Sequence, residues 1–218
     1  MKTSIEDLSV FVAGELLRIG AVSLSPADPF TWVSGLLSPI YCDNRLSLAY
    51  PGIRSGIADG FVDLIAHYEM PCDVVGGIAT AGIPHAAWVA DRLGAPMIYV
   101  RGEAKSHGRK RQIEGELAEG SRVVLIEDLV STGRSSVAVV EPIRSAGCTV
   151  SCVMAIFSYG LDKARQAFDT AGIPLFTLTN FETLIDVARR DELISEADLN
   201  SLQQWHRNPV EWSDQAGL

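Results

Sequence analysis

The sequence predicts an α/β protein: a mostly parallel sheet with helices on both faces, plus a small N-terminal hood layer. Three observations carry that expectation. After Pro51, short apolar runs alternate with stretches at helical spacing, the pattern of parallel strands joined by helices. Before Pro51 the chain is punctuated by Pro and Gly, which fits short strands and turns. With 47% apolar and 21% charged residues over 218 positions, the chain can bury one large core within a single domain.

The elements follow in order. Ile5, Leu8, Phe11 or Val12, Leu16 and Ile19 recur at helical spacing, with Ser4 as N-cap and acids in the first turn, so a helix spans 4–19 and stops at Gly20. Residues 21–48 form the separate small layer, giving a hood at 1–48. The core, 49–160, is expected as helix 51–69, strand 73–77, helix 82–93, strand 96–101, strand 122–127, helix 135–146 and strand 149–157. The remainder, 161–218, reads as helices at 161–171, 180–189 and 196–206 with an edge strand near 175–178. Residues 102–121 show no convincing periodicity, and a loop of that length inside a compact domain is usually functional.

Composition excludes several function classes. The 27 acidic against 18 basic side chains leave a formal charge of −9, which opposes general attraction to nucleic acid or anionic lipid. The longest uncharged stretches, Val74 to Ala90 and Ser145 to Leu161, are 17 residues each and broken by small or polar residues, so no membrane span is expected. Glu6 and Asp7 stand where a secretory signal would be apolar, and a cytoplasmic protein is the default. Cys42, Cys72, Cys148 and Cys152 lack metal-site or disulfide-scaffold spacing; Cys148 and Cys152, four apart on a strand, are expected as core thiols on one face.

The most informative segment is VVLIEDLVSTGRSS, Val123 to Ser136: a buried strand, two acids, then a Ser-Thr-Gly turn into a helix. Ligands of open α/β sheets bind outside the carboxyl ends of strands, and helix N-termini offer unpaired N–H groups to a phosphate. Glu127 and Asp128 repel a second phosphate at their own position but suit vicinal hydroxyls. A sugar phosphate satisfies both. The competing reading is a capped helix, with Asp128 satisfying turn N–H groups. A P-loop or dinucleotide motif is missing from the sequence. GGIATAGIPHAA, Gly76 to Ala87, either approaches an anion through its backbone or serves close helix–sheet packing. Arg101, Lys105, Arg109, Lys110 and Arg111 put 5 of 18 basic residues into 11 positions beside His107, a cluster suited to a polyanion or to a solvated loop. Gly102, Gly108 and Gly115 fit a lid that closes and excludes water.

Together these features resemble the type I phosphoribosyltransferases, and within them the orotate phosphoribosyltransferases. The matching segments are FTWVSGLLSPIYCDNR (Phe30 to Arg45), AGIPHAAWVADRLGAPMIYVR (Ala81 to Arg101), KSHG (Lys105 to Gly108), QIEG (Gln112 to Gly115) and FSYG (Phe157 to Gly160), together with Val123 to Ser136. The matches run from about residue 4 to 200 in the expected order.

The resemblance implies the type I phosphoribosyltransferase fold and the transfer of a 5-phosphoribosyl group from 5-phosphoribosyl 1-diphosphate (PRPP) to orotate. It implies that Glu127 and Asp128 hold the ribose hydroxyls, with Leu129, Val130, Ser131, Thr132, Gly133, Arg134 and Ser135 wrapping the 5-phosphate. Arg101, Lys105 and His107 match diphosphate-binding residues, with Lys105, His107 and Asp128 as the catalytic set. Lys105 and His107 would reach the site of a neighbouring subunit, so a homodimer with shared sites is implied. Ser131 and Tyr41 match orotate contacts, and Mg2+ arrives on PRPP without a protein cage. The chain has Val33, Leu37 and Gly102 where some members carry Lys; Arg109 to Arg111 are expected to supply replacement charge. Two other readings stay open: transfer to another base, and a non-catalytic PRPP-sensing regulator, which needs a basic face or DNA-binding helices that a charge of −9 does not supply.

Overall fold

The computed structural model describes residues 4–102 and 112–217. Chain order begins with α1 (Ile5–Arg18), β1 (Val22–Leu24), β2 (Phe30–Thr31), β3 (Leu37–Ser38) and β4 (Ile40–Cys42), then a 3-10 turn over Asn44–Ala49. It continues with α2 (Pro51–His67), β5 (Val74–Ile78), α3 (Gly82–Leu93), β6 (Met97–Val100), β7 (Ile113–Glu114) and β8 (Arg122–Val130). After these come α4 (Arg134–Ala138), α5 (Val140–Ser145), β9 (Thr149–Ser158), α6 (Asp162–Ala171), β10 (Leu175–Asn180), α7 (Phe181–Arg190), α8 (Glu196–Arg207) and α9 (Pro209–Ala216). Two compact units emerge, one spanning Tyr50–Leu178 and the other built from the chain before and after it.

The two-ended unit is ordered by local signals. Ser4 accepts the Asp7 N–H at 3.0 Å and starts α1, which buries Leu8, Val12, Ala13 and Leu16 and packs against α7. Strands β1 and β4 pair antiparallel, as do β2 and β3. Trp205 is buried, with the Trp32 ring edge-on at 5.7 Å and Phe181 at 5.7 Å. Helix α9, which the sequence reading did not assign, starts on an Asn208 cap and a first-turn Pro209.

The Tyr50–Leu178 unit is the sheet, in the order β10-β9-β8-β5-β6-β7. Strands β6, β5, β8 and β9 run parallel, while β7 adds an antiparallel edge beside β6. Strand β5 is buried along its whole length, as a sheet covered on both faces requires. The predicted α/β architecture therefore stands, with four differences in detail.

Strand β8 runs to Val130, past the expected end at residue 127, because β9 goes on pairing with it through Val130↔Ser158. The single helix expected over 135–146 is two short ones broken at Val139. Pro142 has no N–H for the Ala138 carbonyl, which is where a continuous helix would need one. The stretch after Gly102 contains β7, two residues too short to show periodicity. Finally, Val123 pairs with Val150 while Val124 pairs with Cys152, so Ser151 is a bulge that resets side-chain alternation. Cys148 joins the cluster of Val150, Val153 and Ala155, and Cys152 does not. Both thiols are buried, but not on one face as expected.

Candidate active site

The carboxyl ends of β5, β6, β8 and β9 share one edge of the sheet, because these strands are parallel. Strand β5 pairs with β8 only as far as Gly77↔Ile126. Glu127 and Asp128 are thus the first residues of β8 beyond its β5 neighbour, paired on the β9 side alone, Glu127 with Ala155. Glu127 is 6% exposed and Asp128 half-buried. One Glu127 oxygen, Oε1, accepts the Asp128 N–H at 3.1 Å; Oε2 accepts the Ser136 hydroxyl at 3.2 Å. Burial pushes the Glu127 carboxyl well above the usual range, and the adjacent Asp128 charge adds to the rise.

The turn that follows is fixed at both ends. Tyr159 donates its N–H and Ser158 its hydroxyl to the Val130 carbonyl, each at 3.2 Å, which pins the end of β8. Gly133 adopts φ 75°, and a Cβ there would sit 3.1 Å from the Phe168 ring, so the turn needs glycine for conformation and for space. Among the described residues, the backbone N–H groups of Ser131, Thr132, Gly133, Arg134 and Ser135 donate to no protein group. Consecutive free N–H groups in a turn form a concavity for an anion. Helix α4 has only 5 residues, so local N–H groups rather than a long aligned dipole give this turn its positive character.

A second turn, Ala79 to Ala81, lies between the ends of β6 and β8. The question left open by GGIATAGIPHAA is answered by its three glycines, Gly76, Gly77 and Gly82, all of which close packing requires. A Cβ on Gly76 would meet Leu125 at 2.7 Å, one on Gly77 would meet the Ile83 backbone at 2.8 Å, and one on Gly82 would overlap the Ile126 carbonyl oxygen. Gly82 thereby seats the start of α3 against the backbone of Ile126 and Glu127. The exposed Thr80 stands at the same edge.

Arg101 follows β6, two strand spacings or roughly 10 Å from β8 along this edge. Its guanidinium lies over the Tyr99 ring at 5.5 Å, with Nε 4.0 Å from Glu114 and without a hydrogen bond. The Gln112 side chain donates to the Arg101 and Gly102 carbonyls, each at 3.2 Å. The structure therefore gathers Arg101, Glu127, Asp128 and Leu129 to Ser135 along one edge of one unit. Tyr41 belongs to the other unit, on β4, 43% exposed and 5.6 Å from the Phe30 ring. Lys105, His107 and Arg109 to Arg111 lie outside the described residues. Sequence reasoning gave no role to Ser136, though it closes the segment singled out and falls nine residues after Glu127.

A family profile described as a phosphoribosyl transferase domain matches residues 48–188. The orotate phosphoribosyltransferase of Bacillus caldolyticus is 56% identical over 201 residues, covering 92% of this chain and 97% of that protein. That of Listeria monocytogenes is 50% identical over 201 residues, covering 92% and 96%. Among solved structures, orotate phosphoribosyltransferase from Aeropyrum pernix has a TM-score of 0.73 at 30% identity, covering 84% of this chain and 99% of that one. Leishmania donovani UMP synthase has a TM-score of 0.76 at 30% identity over 92% of this chain; the chain spans only 43% of that longer protein. Identity of 50–56% along nearly the full length of the Bacillus and Listeria proteins, on a sheet whose carboxyl edge carries paired acids and an open N–H turn, means that the chain belongs to the orotate phosphoribosyltransferases of the phosphoribosyl transferase family.

Proposed function

We propose that this protein transfers the 5-phosphoribosyl group of PRPP to orotate, giving orotidine 5-phosphate and diphosphate, a step of pyrimidine (UMP) synthesis. The observation that carries this reading is the sequence of two carboxylates and five unpartnered N–H groups along one strand end and turn. That order matches a ribose followed by its own 5-phosphate. Leu129 to Ser135 hold the phosphate, through free N–H groups and the hydroxyls of Ser131, Thr132 and Ser135. Asp128 and Glu127 accept hydrogen bonds from the ribose hydroxyls. Glu127 has capacity for this: its two internal bonds occupy two of about four lone-pair positions on a carboxylate.

The chemistry has a divided polarity. The bond from ribose C1 to the diphosphate oxygen breaks with its electron pair leaving on diphosphate, while the orotate ring nitrogen forms the new bond to C1 and gives up its proton, which the diphosphate can take. Positive charge grows on the ring and negative charge on the leaving group, so stabilisation is electrostatic and opposite in sign at the two ends. Carboxylates serve the ring. Arg101 serves the diphosphate, together with Lys105 and His107, which we assign the same role. Arg101 is prepared for it, since its Nε is unbonded and its partner Glu114 stands 4.0 Å off. We assign Ser131 and Tyr41 to orotate.

Magnesium belongs to this reading as a companion of PRPP, whose diphosphate and hydroxyls are hard oxygen ligands. We assign the ion's ligands to the substrate rather than to a protein cage. A homodimer with Lys105 and His107 acting in the neighbouring site, and a cytoplasmic setting, complete the proposal. Among the described residues no helix is long and apolar enough to cross a membrane.

The test is purified protein with PRPP, Mg2+ and a panel of bases, following orotate absorbance and diphosphate release. Orotate consumption that depends on PRPP is the expected result. Diphosphate release with adenine or uracil instead would move the assignment to another base, and PRPP binding without turnover of any base would make the protein a sensor.

A further inference from the structure

We infer that Ser136 is a positioning residue: its hydroxyl clamps the Glu127 carboxylate, fixing its direction and holding it in the charged form that an electron-poor ribose needs. The inference rests on the proposed transfer reaction and deepens it, since nothing in the sequence motif marks Ser136 for a role.

The geometry is that of a two-point clamp. Ser136 has no exposed surface, and its Oγ donates to Glu127 Oε2 at 3.2 Å while the Asp128 N–H holds Oε1 at 3.1 Å. Both oxygens being engaged, the plane of the carboxyl is set, and the lone pairs left over point in fixed directions. Every step between the two residues is constrained. Strand β8 is pinned through the Val130 carbonyl, Gly133 turns the chain at φ 75° over the Phe168 ring, and Val137 donates to the Gly133 carbonyl at 2.9 Å, so Ser136 arrives in the first turn of α4 directly beside Glu127.

The clamp also bears on charge. Burial and Asp128 disfavour ionised Glu127, whereas a donor on Oε2 favours it. Among the described residues few other groups compete. Strands β5 and β9, the neighbours of β8, carry no charged side chain over Val74–Ile78 and Thr149–Ser158. On α3, Asp91 and Arg92 stand at the far end of the helix from Gly82, and buried His85 is held neutral. Arg134 of α4 is exposed. Ser136, with the Asp128 N–H, is thus a neutral donor set against burial and the Asp128 side chain, which favour protonated Glu127.

The experiment uses full-length protein carrying carboxyl-labelled glutamate. Glu127 is assigned by its loss in Glu127→Gln and titrated by 13C NMR without substrate, in wild type and in Ser136→Ala. The rate constant kcat/KM for PRPP is measured over the same pH range. Removing one hydrogen bond to a charged group is expected to raise the Glu127 midpoint by about one pH unit. The acid limb of kcat/KM for PRPP moves up by the same amount, and KM for orotate stays unchanged. An unmoved Glu127 midpoint in Ser136→Ala overturns the inference, and so does a moved midpoint with an unmoved rate profile. A wild type that turns over no base overturns the transfer reaction itself; the substrate-free titration then decides the clamp separately.

Discussion

At the scale of single residues, burial decides which charges the protein can carry. His85 of α3 is 1% exposed, its Nδ1 has no partner among the described residues, and its ring meets Trp88 edge-on at 5.5 Å. Burial pulls its pKa down to about 4 from an ordinary 6.5. Below pH 6.5 the unfolded chain takes up a proton that the folded one refuses, so stability falls as pH drops toward 4. The interval corresponds to roughly 3 kcal/mol at most. His85→Leu is therefore expected to flatten the acid side of a plot of urea midpoint against pH, with little change at pH 8. An unchanged acid slope would show that other groups carry it. Glu127 acts in the opposite sense: its folded pKa is raised, so its contribution is complete below the ordinary carboxylate range and is lost as pH climbs through the folded value. The sequence showed Glu127 and Asp128 as a pair beside a phosphate turn. It did not show that they differ, one buried and doubly bonded, the other half-buried, because that depends on where β5 stops.

At the scale of elements, the glycines of the β5–α3 connection set how closely a helix can lie on the acids. A methyl group on Gly82 would overlap the Ile126 carbonyl oxygen and come within 3.3 Å of the Glu127 Cα. Backbone cannot rotate away as a side-chain tip can, so the first turn of α3 must retreat. Gly82→Ala is expected to cost about 1–3 kcal/mol by urea unfolding and to lower PRPP affinity, since the retreat disturbs Glu127. Gly52→Ala in α2, where a Cβ has open space, is the control and should leave both nearly unchanged. Equal effects from the two substitutions would remove close packing as the reason for Gly82. Local pattern carried most elements well: α3 occupies the expected residues, and Ser4 caps α1 as its type demands. The failures share a cause. Pairing with β9 extends β8 past its acids, a two-residue pairing makes β7, and the bulge at Ser151 turns Cys152 away from Cys148, all through partners distant in sequence. The helix break before Pro142 and helix α9, with its Asn208 cap and first-turn Pro209, could have been read locally.

At the scale of the whole molecule, net charge and site charge pull in different directions. In the proposed reaction a chain of −9 binds a highly anionic substrate, and 5 of its 18 basic residues fall within the 11 positions from Arg101 to Arg111. In the proposed dimer that stretch acts on the neighbouring subunit, which makes two defects separable. Lys105→Ala would spoil the partner's site, and Asp128→Asn its own. In a two-fold dimer that carries one defect per subunit, both defects then fall on the same site and the other is intact. Free reassortment of an equal mixture makes half of the dimers mixed, so about a quarter of wild-type activity should return from two nearly inactive proteins. The activity is read as diphosphate release after mild dissociation and reassociation, with each variant alone as baseline. If Lys105 serves its own subunit, mixed dimers hold two singly damaged sites and the mixture stays at baseline. That outcome would break the shared-site proposal while leaving the transfer reaction untouched, because the carboxylates and the open turn belong to one chain in either case.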